Sequence, residues 1–282
     1  MPYIILFVYL AIALALQLLT GDFPVAFFAF PLNLIMALLW LGGILWVWKN
    51  GRKSLFVSFM LSKGASISAV MLFLTFCLVV GITGMRSLVN TWVFVSFMLY
   101  FQTVLLFVIL RGWREKTATG ARLGRIRWRF LLNHVGLLVA VSSAFWGAPD
   151  SETCRLICYK GVPVREATRI DGTNIWLPYA LELKDFKTEI YGNGVPAMYE
   201  ADILVDNEPV TLRVNHPCEK GFAQDIYLSG YDASAGEESG YCIIQVVREP
   251  RKYGAVAGIM MMMAGAMMMF IAGPKKRYVE ED

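Results

Sequence analysis

Six long stretches without a charged side chain constrain this chain more than any other feature. They cover approximately residues 3–20, 23–48, 64–85, 87–110, 130–149 and 253–274. A helix rises about 1.5 Å per residue, so each is long enough, or nearly so, to cross a hydrocarbon layer of about 30 Å. Only 17% of the residues are charged, against about a quarter in a soluble domain. The sequence therefore predicts a polytopic α-helical membrane protein with about six spans.

The connections between these stretches predict an orientation. Residues 49–63 carry four basic and no acidic side chains, residues 111–129 carry seven basic side chains and one acidic, and Lys275, Lys276 and Arg277 follow the last stretch. Short basic loops stay on the cytoplasmic side of a membrane. We expect a multi-pass protein of the bacterial cytoplasmic (inner) membrane with both termini in the cytoplasm.

The first and second stretches raise two local questions. No basic residue precedes the first stretch and no small-x-small motif follows it, so we interpret it as a span and not as a signal peptide. Pro31 lies within the second stretch and predicts a kink there. In the last stretch, Gly258, Ala264, Gly265 and Ala266 favour close helix packing.

The composition changes between the fifth and sixth stretches. Residues 150–252 hold 17 acidic and 11 basic side chains, a net charge of −6. Short apolar or β-branched runs separated by turn residues are typical of strands, and here they occur at 176–186, 200–205, 210–214 and 241–247. We predict five spans in 1–149, an extracytoplasmic β-rich domain in 150–252, built as a sandwich or an open barrel, and a last span with a basic tail in 253–282.

Four of the five cysteines lie in the predicted outside domain: Cys154, Cys158, Cys218 and Cys242. An even number of cysteines in an oxidising compartment indicates up to two disulfides, and three pairings are open. Cys154 and Cys158 are spaced C-x3-C and form an alternative, a labile redox pair.

Known catalytic and nucleotide-binding motifs are absent from the sequence, including G-x-S-x-G, the P-loop, H-E-x-x-H and the dinucleotide fingerprint. The basic segment 122–129, flanked by Trp113 and Trp128, favours contact with membrane lipid over nucleic-acid binding. Chemistry therefore centres on two histidines. His134 lies about 6–8 Å inside the fifth span, counted from Arg129, and an ionisable residue within a span is a functional candidate. His216 lies in a loop of the outside domain, where a turn residue is the simpler interpretation.

Three segments of the outside domain together resemble the soluble domain of the ResB family, also called CcsB. They are residues 177–186, residues 191–196 and residues 214–232, the last with the sequence Val-Asn-His-Pro at its start. Asn133-His134 at the start of the fifth span and the small-residue-rich last span are also similar to that family, so that the resemblance covers roughly residues 128–278.

The resemblance implies a heme-handling and scaffold subunit of a System II cytochrome c synthetase. Such a protein acts with a CcsA-like heme protein to export heme and attach it to the C-x-x-C-H motif of apocytochrome c. His134 matches the family's heme-contacting histidine, which implies transient binding of heme b with His134 as a ligand of the heme iron. The two histidines are expected on opposite sides of the membrane core, so the other axial ligand would come from the partner or from solvent.

The chain departs from the family pattern in three ways, one of which is Cys218 at a position where the family usually has an apolar residue. It has five spans before the outside domain where the commoner plan has three, and it lacks the tryptophan-rich segment of the CcsA partner. We therefore expect the chain to be non-catalytic alone. Two alternatives stay open: a membrane-tethered thiol exchanger for apocytochrome cysteines, and a cofactor-free scaffold for respiratory assembly.

Overall fold

The computed structural model describes residues 2–113, 126–190, 196–236 and 239–273. Two compact units emerge from it. One comprises Met1–Pro149 with Arg251–Asp282 and is helical, and the other comprises Asp150–Pro250 and is a β-sheet. Three predicted features lie outside the described residues: most of the basic connection between the fourth and fifth spans, the family-like segment 191–195, and the basic residues 275–277.

The described residues of the helical unit form seven α-helices. They are α1 Pro2–Thr20, α2 Leu32–Asn50, α3 Leu55–Met60, α4 Lys63–Thr83, α5 Trp92–Gly112, α6 Trp128–Gly147 and α7 Lys252–Ala272. All but α3 are long and apolar enough to cross a membrane, which agrees with the six predicted stretches. The short helix α3 was not expected; Ser54 begins it by accepting a hydrogen bond from the Val57 backbone N–H.

The sequence analysis predicted a kink at Pro31 within the second span, but the structure shows none. Residues Val25–Phe28 form a 3-10 helix, and α2 begins only at Leu32, directly after Pro31. The prediction was wrong because proline at the start of a helix removes no internal hydrogen bond, since the first backbone N–H groups have no partner within the helix. The uncharged stretch 23–48 is therefore a 3-10 turn followed by a helix.

The helix α5 is the most buried of the long helices, and its buried Gln102 connects it to α6. The Gln102 Oε1 accepts hydrogen bonds from Ser142 Oγ at 2.8 Å and from Trp146 Nε1 at 3.2 Å. Its Nε2 donates to the Met98 carbonyl oxygen. Each of these buried polar atoms thus has a partner, as burial in an apolar bundle requires.

The helices α6 and α7 pack through small residues. A Cβ atom at Gly258 would lie 2.5 Å from both the Ala140 backbone nitrogen and the Gly136 carbonyl oxygen. Gly265 approaches Asn133 of α6 with similar closeness, whereas Ala264 is exposed. Gly258 and Gly265 therefore act as the sequence predicted, and Ala264 does not.

The second unit is one eight-stranded antiparallel sheet with the strand order β5-β4-β3-β2-β1-β8-β7-β6. The strands are β1 Glu152–Tyr159, β2 Val164–Arg169, β3 Asn174–Ile190, β4 Pro196–Val205, β5 Glu208–Arg213, β6 Cys218–Glu219, β7 Gln224–Tyr231 and β8 Tyr241–Arg248. The four predicted strand runs fall within β3, β4, β5 and β8, apart from Val214 at the end of the third run. The other four strands were not predicted.

Inward-facing side chains from distant strands of this sheet form a single core. Leu156 of β1, Leu183 of β3, Ile203 of β4, Leu212 of β5 and Ile244 of β8 are all buried in the same cluster. The sheet therefore curls around its own apolar face. Among the described residues it is one continuous sheet, which fits the predicted open barrel and not the sandwich.

Candidate functional site

His134 lies nearly two turns into α6, and its ring orientation is fixed by its own helix. The Nδ1 atom lies 2.9 Å from the Phe130 carbonyl oxygen, so the hydrogen bond requires the proton to be on Nδ1. The imidazole also stacks on the Phe130 ring, with 4.0 Å between centroids. In this tautomer the Nε2 atom carries the lone pair that binds a metal, and the Nδ1 bond orients it.

His134 lies on the side of α6 that faces the helices α1–α5 and not α7. Gly136 and Ala140 contact α7, whereas Ser142 and Trp146 bond to Gln102 of α5. With about 100° between successive helical residues, Leu138 and Val141 flank His134, and both pack against the apolar core that α5 contributes to. The His134 side chain is half-buried. It is therefore partly covered by the helical unit and partly accessible to a ligand.

Basic side chains surround this end of the helical unit. The Arg127 guanidinium lies 4.8 Å from the centroid of the Phe130 ring. The same ring packs against Gly112 at the end of α5. Arg111 donates to the Leu61 carbonyl oxygen at 2.8 Å. Asp22 is the one acidic residue in the described part of the helical unit, and it bonds to Gln17 at the far end of α1. The basic end therefore attracts anionic groups from outside the unit.

His216 occupies a turn in the β unit, as its simpler interpretation predicted. Its backbone N–H donates to the Arg213 carbonyl oxygen at 3.0 Å, and Asn215 before it has a positive φ of 60°. The side chain is exposed. In the described part of the chain, no group of three or more His, Cys, Asp or Glu side chains is placed to hold a metal ion. If His134 binds a metal ion, no such group among the described residues would provide further ligands.

Cys154 and Cys158 lie on the same strand, β1, and are too far apart along it to form a disulfide. Both face the core from β1, four residues apart, which along a strand is about 13 Å. A disulfide needs Cα atoms within about 7 Å, so these two cysteines cannot bond to each other and the C-x3-C redox pair is excluded in this fold. Cys158 instead lies directly opposite Cys242 of β8, and both are fully buried.

The environments of the four thiols differ. A hydrogen bond to Cys242 and burial both raise the pKa of the Cys158 thiol, and burial is the main cause that raises the pKa of Cys154. Cys218 is half-buried, at the edge strand β6. Cys154 and Cys218 lie near the Tyr179 hydroxyl, which is buried without a hydrogen-bond partner. Burial raises the pKa of Tyr179, and both thiols make a smaller contribution in the same direction.

Sequence reasoning identified His134 but not the two side chains that complete its surroundings. Phe130 and Arg127 lie four and seven residues before it, which is the spacing of one helix face. That spacing was visible in the sequence, but aromatic and basic residues at the end of a span are also common as membrane anchors. The signal was therefore not specific.

Together, the fold and the site define a class of protein: a bundle of apolar helices carrying a β-sheet domain, with one oriented histidine near the basic end of the bundle. The model of the ResB-like family matches residues 109–243 of the chain. The predicted resemblance to this family is thereby confirmed, over a region that includes His134 and the β unit from β1 to the first residues of β8.

Other comparisons add little. No curated protein matches the chain. Among solved structures, the chain is similar to the cytochrome c heme lyase CcmF, with a TM-score of 0.34 and 14% sequence identity. That similarity covers 64% of this chain and 30% of the other, so this chain spans less than a third of that protein's length. At this TM-score the similarity carries no argument about function.

Proposed function

We propose that this chain is a membrane-embedded, heme-handling subunit of a cytochrome c synthetase. The ResB-like match supports a role in cytochrome c biogenesis, and the observation that carries the heme assignment is His134 within the matched region. Its Nδ1 is engaged by the Phe130 carbonyl oxygen and its Nε2 has the lone pair that iron requires. Heme, in this proposal, is the cargo of the protein.

The need for a second axial ligand explains why a partner is part of the proposal. Heme iron takes two axial ligands, and the described helices offer no second histidine. A CcsA-like heme protein that docks at this end of α6 would supply it. The Arg127 and Arg111 side chains at the same end favour the approach of the negatively charged propionates of heme.

The six apolar helices support a position within the bacterial inner membrane. In the proposed orientation the basic end of the helical unit is cytoplasmic, where heme is made, and the acidic β unit is outside, where apocytochrome c is found. The net charge of −6 in residues 150–252 favours encounter with a basic apocytochrome. The β unit would thus present the apoprotein, and ligation would be shared with the partner.

A visible absorption spectrum tests this proposal. The full chain is co-expressed with a CcsA-like partner and purified as wild type, as His134→Ala and as His216→Ala. We expect heme in the wild type and in His216→Ala, and at least a fivefold lower heme content or a changed axial-ligand spectrum in His134→Ala. Equal heme with an identical spectrum in all three would refute His134 as a ligand.

The thiol-exchanger alternative has less support from the geometry. An exchanger needs an accessible thiolate, whereas Cys154, Cys158 and Cys242 are buried and the pKa of Cys158 and of Cys154 is raised. As part of the proposed function, we assign Cys158 and Cys242 to a structural disulfide. The two thiols give two protons and two electrons to an oxidised dithiol protein outside the membrane, which is reduced as the S–S bond forms.

A further inference from the structure

A cavity of about 510 Å³ lies within the helical unit, at the opposite end from His134. The ends of α1, α2, α5 and α6 and the 3-10 helix Val25–Phe28 surround it. Binding sites for small molecules in proteins have volumes of about 300–1,000 Å³ and are mostly apolar. The volume is therefore sufficient for the ring and the first tail segments of a lipid-like molecule.

The walls of the cavity are rich in aromatic rings, and none of the lining side chains is charged. Phe23 is central: it stacks on Phe28 with 4.8 Å between centroids and meets Trp92 edge-on at 4.9 Å. Trp146 and Phe145 of α6 line the cavity from another direction. Flat aromatic walls favour a planar ring, and the absence of lining charge disfavours an ionised one.

One polar atom in these walls lacks a partner. The Trp92 Nε1 is buried and has no hydrogen-bond acceptor. The Trp92 backbone N–H donates to Gln17 Oε1 at 2.9 Å, which connects the start of α5 to α1, and the Trp92 ring packs edge-on against Phe23. A buried N–H without an acceptor is unfavourable, and a bound acceptor atom would remove this cost.

Three other polar side chains of the lining, those of Asn33, Tyr9 and Trp146, make hydrogen bonds. The Asn33 Nδ2 donates to the Trp146 carbonyl oxygen at 2.8 Å, and the Tyr9 hydroxyl donates to the Ser96 carbonyl oxygen at 2.9 Å. Among the buried side-chain nitrogen and oxygen atoms of this lining, the Trp92 Nε1 is thus the one described atom that lacks a partner. A carbonyl oxygen on an uncharged planar ring would be such a partner.

We propose that this cavity binds a lipid-soluble quinone, with one ring carbonyl accepting a hydrogen bond from Trp92 Nε1 and the ring lying against Phe23 and Trp146. This would give a role to α1 and α2, which lie outside the region matched to the ResB-like family. The inference does not depend on heme binding by His134, which lies at the other end of the unit. It concerns binding alone and no electron transfer.

Two probes test the proposal on the purified full chain in detergent. Decylubiquinone is titrated into wild-type protein, Trp92→Phe, Ala144→Leu and Trp46→Phe. The first substitution removes the N–H but keeps a ring, the second places a larger side chain in the cavity wall, and the third changes an exposed tryptophan that does not line the cavity. Dioleoylphosphatidylcholine is the competing probe, because its ester carbonyl is also an acceptor.

We expect Trp92→Phe to weaken decylubiquinone binding about tenfold, the loss of one buried hydrogen bond. Ala144→Leu should weaken it further, and Trp46→Phe should leave it unchanged. In ¹⁵N-indole spectra of the wild type, the Trp92 resonance should shift on addition of the quinone, a readout that does not depend on any variant folding. Unchanged affinity in Trp92→Phe, an unshifted resonance, or displacement of the quinone by equimolar phospholipid would each overturn the proposal.

Discussion

At the scale of single residues, His134 shows what rarity and position in a sequence can reveal. One of two histidines, placed within an apolar stretch, was identifiable without a structure. Its tautomer was not, because the proton on Nδ1 follows from the hydrogen bond to the Phe130 carbonyl oxygen, which only the structure shows. The sequence thus predicted the residue, and the structure showed which of its ring nitrogens keeps the lone pair.

The cysteines illustrate the opposite case. Four thiols allow three complete pairings, and the sequence spacing favoured none of them. The antiparallel register between β1 and β8 places Cys158 opposite Cys242, a relation between residues that are far apart in the chain. Register depends on the pattern of buried side chains across the whole sheet, so spacing within one strand carries no information about it.

The proposed disulfide leads to a prediction on stability. Protein purified without reductant should yield a linked peptide pair containing Cys158 and Cys242, and reduction should lower the free energy of unfolding by about 2–4 kcal/mol. Thermal unfolding with and without reductant, together with peptide mass spectrometry, measures both. The double variant Cys158→Ser/Cys242→Ser should be insensitive to reductant.

Cys154→Ser serves as the matched control, since Cys154 faces the same core but lies opposite Val246. It should keep the sensitivity of the wild type to reductant. Because burial raises the pKa of Cys154, its thiolate fraction at a given pH is lower than in the unfolded chain. Iodoacetamide should therefore modify Cys154 more slowly in the folded protein, and free thiols at Cys158 and Cys242 under these conditions would contradict the disulfide.

At the scale of elements, the apolar stretches predicted six helices well and their ends less well. The second stretch is the informative example, because a 3-10 helix ends at Phe28 and Pro31 directly precedes α2 instead of bending it. Hydropathy reports which segment avoids water but not where the helical hydrogen bonds begin. Four strands were missed for a related reason: β1, β2, β6 and β7 are short or mix apolar and polar residues without regular alternation along their whole length.

The packing of α6 against α7 leads to a prediction with a matched control. Gly258→Ala places a methyl group 2.5 Å from backbone atoms of α6, so we expect a loss of about 1–3 kcal/mol in the free energy of unfolding. Gly42→Ala in α2 meets nothing within 4 Å and should be neutral or stabilising by up to about 1 kcal/mol.

Thermal unfolding of the two variants in the same detergent compares them directly. The opposite signs are the diagnostic result, because both substitutions make the same chemical change within a long apolar helix. Equal effects at the two positions would mean that α6 and α7 do not pack closely in the protein.

At the scale of the whole molecule, the distribution of charge leads to a prediction on orientation. Single cysteines are introduced as Lys53→Cys, in the connection after α2, and Asp171→Cys, in the exposed turn between β2 and β3. A membrane-impermeant maleimide applied to intact spheroplasts should label Asp171→Cys and spare Lys53→Cys until the membrane is permeabilised.

The wild-type chain provides the background labelling of its own cysteines in that experiment. If Lys53→Cys is labelled in intact spheroplasts and Asp171→Cys is not, the orientation is reversed, and the proposal that the β unit meets apocytochrome c outside the membrane is wrong. The assignment of His134 as a heme ligand would then depend only on the visible absorption spectra of the purified variants.

Taken by itself, the sequence determined the features that depend on local composition: six apolar helices, a β-rich segment between the last two, an isolated histidine and a family resemblance over half of the chain. The curling of one sheet around its core, the pairing of Cys158 with Cys242, and the cavity at Trp92 were decided only by the tertiary structure. Each of these brings together residues distant in the chain, through packing and register that no local pattern encodes.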